Sequence, residues 1–268
     1  MPLVAAAVCP CPPILIPEVA GGAAAELDDL RAICDAAVDR LLTAGPDGIL
    51  ILGTGAKTAW RAPDEYGTLA PWGVPLEVVP GRRGHPSLPL SLTVGAWLLS
   101  RRADLTSAPP AGSADATVAG TATVSVTATV AGTATVGGTV AVGMASVAAD
   151  EPPAGCAAFG RDRCAPWLPR VALLVMGDGS AWRAEPPSGY ADPRATVLDG
   201  MTAKALAAAD LDGLLALDPA LATELTAAGR PAWQALAGAA AGADWRAELL
   251  YDAAPYGVGY LVASWVRA

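Results

Sequence analysis

The sequence is poor in the side chains that most often carry acid–base chemistry and positive charge. Its 268 residues include one histidine, His85, and only two lysines, Lys57 and Lys204. Histidine is the commonest metal ligand and the usual acid–base group near neutral pH, so a site built from several histidines is excluded. His85 lies in a polar loop rich in glycine and arginine, where we predict that it is solvated.

Charged residues are scarce altogether, and positive charge is the scarcer sign. Asp, Glu, Lys and Arg make up 16% of the chain, the net charge is −9 and the isoelectric point is about 4.5. A nucleic-acid-binding protein needs a basic patch, and the longest basic runs here are the pairs Arg82-Arg83 and Arg101-Arg102. We therefore predict no nucleic-acid partner.

Signals for secretion and for membrane insertion are weak. Residues 1–8 are apolar and lack the basic segment with which a signal peptide begins, which favours a first strand over a signal peptide. The uncharged stretch 116–149 is too rich in Thr, Gly and Ser for a membrane-spanning helix. An odd number of cysteines, five, is typical of reduced thiols. We expect a cytoplasmic protein with no membrane partner.

Hydrophobic residues, at 53%, are abundant, and one unbroken apolar run organises the predicted fold. Residues Val171–Met176 are typical of a strand buried on both faces, as in a sheet that helices cover on both sides. Gly177, Asp178, Gly179 and Ser180 follow directly. Ligands in open α/β sheets bind at the carboxyl ends of the strands, so these polar groups indicate a site, although a simple tight turn has the same composition.

The N-terminal half predicts a β-α-β unit of the same sheet. A strand over 3–8 runs into the rigid loop Cys9–Pro13, a helix covers 23–43, and a second strand covers 48–52. We expect strands 3–8, 48–52 and 171–176 in one sheet. The fold class is then α/β, a single domain with a central, mostly parallel sheet flanked by helices.

Weaker patterns predict the remaining elements. Strands are expected over 74–79, 139–147 and 258–265, and helices over 88–102, 154–164, 194–208, 211–216, 219–228 and 231–241. An insertion at about 104–139 interrupts the domain, because residues 116–124 recur unchanged as 128–136. Such a repeat of small residues favours either a flexible loop or a β-hairpin extension.

The strand ends supply the candidate site residues. Cys11 and Asp178 are the candidate catalytic groups, since a thiol and a carboxylate there can move protons or attack a substrate. The residues expected to line the pocket share a position beside a strand end: Pro12, Gly53, Thr54, Gly55, Gly177, Ser180 and Tyr256. Cys11 has no second cysteine pair at ligand spacing, so a structural zinc site is not expected.

Three segments resemble class III extradiol ring-cleavage dioxygenases of the subunit-B type and the related Memo-type proteins. They are the stretch Cys9–Glu18 after the first strand, the turn Gly177–Ala181, and Tyr256–Tyr260 before the closing strand. The resemblance covers nearly all of residues 1–268 except the insertion. It implies one α/β domain with non-haem Fe(II) bound at the strand ends.

The sequence departs from that family at the residues that would bind the iron. The family's histidines would fall at Cys11, within Gly53–Gly55 and at Ala181. A site of two histidines and one carboxylate cannot be assembled from a single histidine, so we expect no metal ligands and no cofactor.

Three functional hypotheses follow from these departures. The first is a divergent extradiol-dioxygenase-like protein without iron-dependent ring cleavage, which keeps the crevice for a small molecule or a protein partner. The second is an active enzyme, an oxidoreductase or one using Cys11 or Asp178 in a repurposed site. The third is a structural or interaction protein whose glycine turns are only turns. An oligomer remains open in each case.

The insertion generates the first prediction. Deletion of residues 106–138 should leave a folded protein, because the segment connects two elements and contributes no large apolar side chains. The measurement is thermal unfolding followed by circular dichroism. Loss of the cooperative transition in the deletion variant would show that the repeat belongs to the core.

Overall fold

The computed structural model describes residues 2–102, 121–129, 135–183 and 191–268, with eleven strands and eight α-helices in that part of the chain. The strands are β1 Leu3–Cys9, β2 Gly48–Gly55, β3 Ala59–Trp60, β4 Glu65–Thr68, β5 Glu77–Val78, β6 His85–Pro86, β7 Thr121–Thr129, β8 Thr135–Ala148, β9 Val171–Met176, β10 Trp245–Ala253 and β11 Tyr260–Arg267. The helices are α1 Pro17–Ala20, α2 Asp28–Thr43, α3 Leu90–Ser100, α4 Pro153–Phe159, α5 Pro193–Ala208, α6 Leu211–Leu215, α7 Pro219–Glu224 and α8 Arg230–Ala240.

One eight-stranded mixed sheet forms the centre of the molecule. Its order is β10-β11-β1-β9-β2-β8-β3, and β7 pairs with β8 as well. The four strands β1, β9, β2 and β8 are mutually parallel. At one end of the sheet, β11 runs antiparallel to β1, and β10 runs antiparallel to β11. The predicted α/β class and the placement of β1, β2 and β9 in one sheet are confirmed.

Helices cover both faces of this sheet, because alternate residues of each strand point to opposite sides. On one face, Ala5, Ile51 and Leu174 pack in a core with α2 and α3. On the other, Leu50 and Leu173 pack in a second core with α4, α5, α6 and α8. Residues buried on both faces explain the unbroken apolar runs of β1, β2 and β9.

Several elements differ from the sequence-based expectations. The helix expected over 23–43 begins as a 3₁₀ turn, Gly21–Leu27, and becomes α-helical at Asp28. The strand expected over 74–79 shrinks to β5, and the second strand runs on to Gly55. Strand β10 was not predicted, and its pairing with β11 is antiparallel. The Pro- and Gly-rich residues 182–194 also predict a loop. Residues 184–190 of it lie outside the described residues, and Pro193 and Arg194 already belong to α5.

The insertion contributes a β-hairpin where the structure describes it. Strand β7 pairs antiparallel with β8 from Thr121↔Gly143 to Thr129↔Thr135, and β8 then continues beside β2. Of the two expectations for the repeat, a loop or a hairpin, the described part adopts the hairpin. Residues 104–120 and 130–134 of the predicted insertion lie outside the described residues.

None of the helices within the described ranges is long and apolar enough to cross a membrane. All five cysteines are free and buried, and His85 is exposed, as the sequence predicts.

Helix α8 is approached closely by α4 and by the π-helical turn Gly160–Cys164 that follows it, and a glycine lies at each contact. A Cβ at Gly238 would lie 2.0 Å from the carbonyl oxygen of Ala157, and one at Gly160 would lie 1.8 Å from the carbonyl oxygen of Ala235. Backbone atoms cannot move aside as a flexible side chain can, so neither position has room for a side chain.

This contact generates the second prediction. Gly238→Ala should lower the free energy of unfolding by about 1–3 kcal/mol, because overpacking forces the helices apart. The matched control is Gly200→Ala in α5, where a Cβ meets nothing within 4 Å and alanine should stabilise the helix by about 0.5–1 kcal/mol. Chemical denaturation of both variants measures the difference. Equal stabilities would contradict the close contact.

Candidate functional site

The candidate site lies at the edge of the sheet where the parallel strands end. Strands β1, β9 and β2 lie side by side, with Cys9 opposite Met176 and Gly53 opposite Met176 on the other side. The loops that follow these strands therefore emerge next to one another. Cys11, Asp178 and Thr54 sit in or beside those loops, and we call this region the strand-end crevice.

Cys11 and Asp178 are in direct contact across the crevice. The backbone N–H of Cys11 donates to Oδ1 of Asp178 at 2.7 Å, and the Cys11 Sγ lies 3.8 Å from Oδ2. Prolines on both sides of Cys11 hold the loop rigid. The Asp178 carboxylate therefore fixes the proline loop against the central strand.

The electrostatics of this pair distinguish the two candidate catalytic groups. Burial raises the pKa of Asp178 from 3.8 to about 6, while the two hydrogen bonds from Cys11 lower it in part. Burial and the Asp178 charge both raise the pKa of the Cys11 thiol well above its usual value. The thiol is thus held protonated, and a nucleophilic thiolate would need a nearby cation or helix N-terminus to form.

The Asp178 carboxylate has no cationic partner among the described residues, since none of their ion pairs includes it. The residue as a whole is nevertheless partly exposed. Desolvating a charge without pairing it is costly. This combination sets Asp178 apart from every other predicted site residue.

The segment 226–229 covers the ends of β9 and β2. The Thr54 hydroxyl donates to the Ala228 carbonyl at 2.6 Å, and the Gly229 N–H donates to the Asp178 carbonyl at 2.8 Å. A Cβ at Gly177 would lie 2.3 Å from the Gly229 Cα, so the two backbones touch. Thr54 and Gly177 thus help to hold the cover of the crevice.

Gly53 and Gly55 serve packing and strand pairing. Their backbones pair with Ser146 and Ala148 of β8. A Cβ at Gly53 would meet the Ser91 side chain of α3 at 2.5 Å, and one at Gly55 would meet Ser146 at 2.9 Å. Strand β2 continues through these residues, so they do not form a turn at its end.

Ser180 belongs to a buried polar cluster that the sequence did not reveal. Its N–H and hydroxyl both donate to the carboxylate of Asp199 in α5, at 2.9 and 3.1 Å. Arg183 lies 4.0 Å from Asp199 and forms an ion pair with Asp252. The carboxylate of Asp252 is therefore held by an arginine.

Asp199 had a recognisable sequence signal. It lies on the apolar face of α5 between Leu198 and Thr202, and it is 1% exposed. A carboxylate at such a position is almost always paired. Burial raises its pKa, while the hydrogen bonds from Ser180 oppose the shift. This cluster fastens the Gly177–Ser180 turn to α5.

Two tyrosines border the region differently. The Tyr256 hydroxyl donates to Glu26 at 2.6 Å at the surface, and that hydrogen bond raises the pKa of Tyr256. Tyr260 is 1% exposed, and burial together with the Asp178 charge raises its pKa. The structure thus associates Tyr260 electrostatically with Asp178, although the sequence analysis had named Tyr256.

The donor set of the crevice does not fit a ring-cleaving iron. The positions at which family resemblance implies histidine are occupied by the protonated thiol of Cys11, by the packed glycines and by Ala181. The single histidine, His85, is exposed on β6. In the described part of the chain, no group of three or more His, Cys, Asp or Glu side chains could hold a metal ion.

Comparison with known proteins gives a fold and no family. No protein-family model matches the chain, and no curated protein is significantly similar to it. The chain is similar in structure to the uncharacterized protein JW3007 from Escherichia coli K12, with a TM-score of 0.54 and 12% sequence identity. The match covers 98% of this chain and 99% of that one. At this identity it shows a shared α/β fold alone.

The raised pKa of Asp178 generates the third prediction. Because the folded pKa, about 6, exceeds the ordinary 3.8, the folded state holds the proton more tightly. The contribution of Asp178 to the free energy of unfolding is fully present below about pH 4 and is lost as the pH rises through about 6. Full burial would make the loss about 3 kcal/mol, and the partial exposure of Asp178 makes it smaller.

Asp178→Asn removes this titration while keeping an acceptor for the Cys11 N–H. The melting temperature of the variant relative to the natural protein should rise between about pH 5 and about pH 7.5, by several degrees at most. Asp212→Asn, at the exposed surface of α6, is the matched control. A pH-independent difference for Asp178→Asn would show that Asp178 is not perturbed.

Proposed function

We propose that this protein is a divergent relative of the extradiol dioxygenases that does not perform iron-dependent ring cleavage and binds a small molecule in the strand-end crevice. The observation that carries the proposal is Asp178: a carboxylate at the end of the central strand, withdrawn from water, reachable, and without a cation among the described residues. The likeness of motifs at Cys9–Glu18 and Tyr256–Tyr260 supports the ancestry.

The geometry favours a ligand that offers a positive charge or a hydrogen-bond donor. Oδ1 of Asp178 already accepts from the Cys11 N–H, and Oδ2 has only the long contact to Sγ. Carboxylate oxygens each accept more than one hydrogen bond. An ammonium or hydroxyl group near Oδ2 would offset the cost of desolvation, because charge-assisted hydrogen bonds are the strong ones.

A second function, an enzyme with a repurposed site, is favoured by one observation. A carboxyl group with a pKa of about 6 is suited to general acid–base catalysis near neutral pH. In such an enzyme Asp178 would accept or donate the proton, and Cys11 would position it as a neutral hydrogen-bond donor. The raised pKa of the thiol argues against Cys11 as the nucleophile.

Binding to the crevice generates the fourth prediction. Benzylamine, phenol and catechol are suitable probes, because each joins one ring to a donor group. We expect at least one to raise the melting temperature of the natural protein, and Asp178→Asn to weaken its binding about tenfold or more, as expected for loss of a charge-assisted hydrogen bond. Asp212→Asn should bind as the natural protein does.

Two results would count against the proposal. Unchanged affinity of Asp178→Asn for the probe would show that the Asp178 carboxylate does not contact the ligand. The ligand would then have to bind elsewhere on the protein. Ring-cleavage product formed from catechol on addition of Fe(II) would show that iron chemistry persists without the family's histidines.

A further inference from the structure

The edge strand β10 combines unpaired backbone with an unusual pattern of charge. It forms one end of the sheet, and β11 is its only neighbour among the described strands. A register shift between Leu249 and Tyr251 interrupts its regular pairing. The longer of the two regularly paired stretches is therefore the five residues Trp245–Leu249, with Ala247 at the centre.

The charged side chains on this segment are incompletely paired. Arg246 and Glu248 are both exposed and lie on the same face of the strand. The Glu248 side chain contacts that of Arg40 in α2 at 2.5 Å, whereas the side chain of Arg246 has no hydrogen bond or ion pair with any described residue. A groove of about 310 Å³ opens beside them, lined by Arg40, Arg246, Glu248 and Ser264 among others.

We propose that β10 pairs with β10 of a second copy of this chain, antiparallel and centred on Ala247, to form a symmetric dimer with one continuous sheet. In this register Arg246 lies opposite the partner's Glu248, and Glu248 lies opposite the partner's Arg246. Residues directly opposite in an antiparallel pair have Cβ atoms about 4.5–5.5 Å apart, so two ion pairs form across the axis. The groove leaves room for the incoming arginine.

The opposite face of the strand supports the same register. Trp245 and Leu249 are only partly buried, although both pack against the core. Centring on Ala247 places Trp245 opposite the partner's Leu249, which covers both. A two-fold axis moved by one residue would instead place Arg246 opposite Arg246 or Glu248 opposite Glu248. Like charges directly opposite are destabilising, so charge selects the register.

Pairing of five residues from each copy buries less surface than a standard protein–protein interface, which buries about 1,200–2,000 Å². We therefore expect a dimer that dissociates on dilution and weakens as ionic strength rises, since exposed ion pairs are screened by salt. The proposed dimer contact involves none of the residues of the strand-end crevice. The test of the dimer is therefore independent of the proposed ligand.

The experiment exploits the self-complementarity of the charges. Sedimentation velocity over a concentration series should show a monomer–dimer equilibrium for the natural protein. Arg246→Glu and Glu248→Arg should each weaken dimerisation about tenfold or more, because both cross-strand pairs become like-charged. An equimolar mixture of the two variants should form heterodimers, and the double variant R246E/E248R should regain the homodimer.

Arg163→Glu, the same charge change at an exposed position after α4, is the control and should leave dimerisation unchanged. Circular dichroism confirms that each variant is folded. A natural protein that stays monomeric up to high micromolar concentration, an unaffected Arg246→Glu variant, or a mixture that stays monomeric would each overturn the proposal.

Discussion

The structure depends on the satisfaction of the backbone of β9. All six of its residues, Val171–Met176, are fully buried, so every N–H and C=O group must find a partner within the protein. Strands β1 and β2 provide those partners on the two sides. This pairing aligns the three strands in parallel, and it also brings the loops after them to one place. The crevice is thus a consequence of the same hydrogen bonds that form the core.

The parts of the fold that the sequence predicts well are those in which local pattern and tertiary role agree. The unbroken apolar runs of β1, β2 and β9 are typical of strands in a sheet that helices cover on both faces. Strand β10 was missed because Ala247, Glu248 and Leu249 are helix-favouring residues, and only the pairing with β11 makes the segment extended. At the site, Asp178 was predictable from its place after a strand, whereas the partnership of Ser180 with Asp199 spans 19 residues and depends on the docking of α5.

Two carboxylates are associated with the Gly177–Ser180 turn: Asp178 belongs to it and Asp199 contacts it. They differ in how fully the protein itself provides them with partners. Asp199 is 1% exposed, accepts two hydrogen bonds from Ser180 and lies near Arg183. The charge of Asp199 is therefore stabilised by groups of the protein itself. The pKa of Asp178 is also raised, but among the described residues its carboxylate accepts hydrogen bonds from Cys11 alone, and part of the residue stays accessible. Of the two, only Asp178 retains a capacity to interact with something outside the chain.

The touching backbones of Gly177 and Gly229 restrict how this crevice can evolve. A side chain at Gly177 would strike the Gly229 Cα, and one at Gly229 would strike the ring of Trp233 at 2.2 Å. Neither glycine can therefore be replaced first without displacing the cover of the crevice. Mutational paths that remodel this wall must begin at Trp233 or in the backbone of 226–229. The two glycines are thus epistatically linked, and the crevice wall should diverge in concerted steps while its surroundings drift one residue at a time.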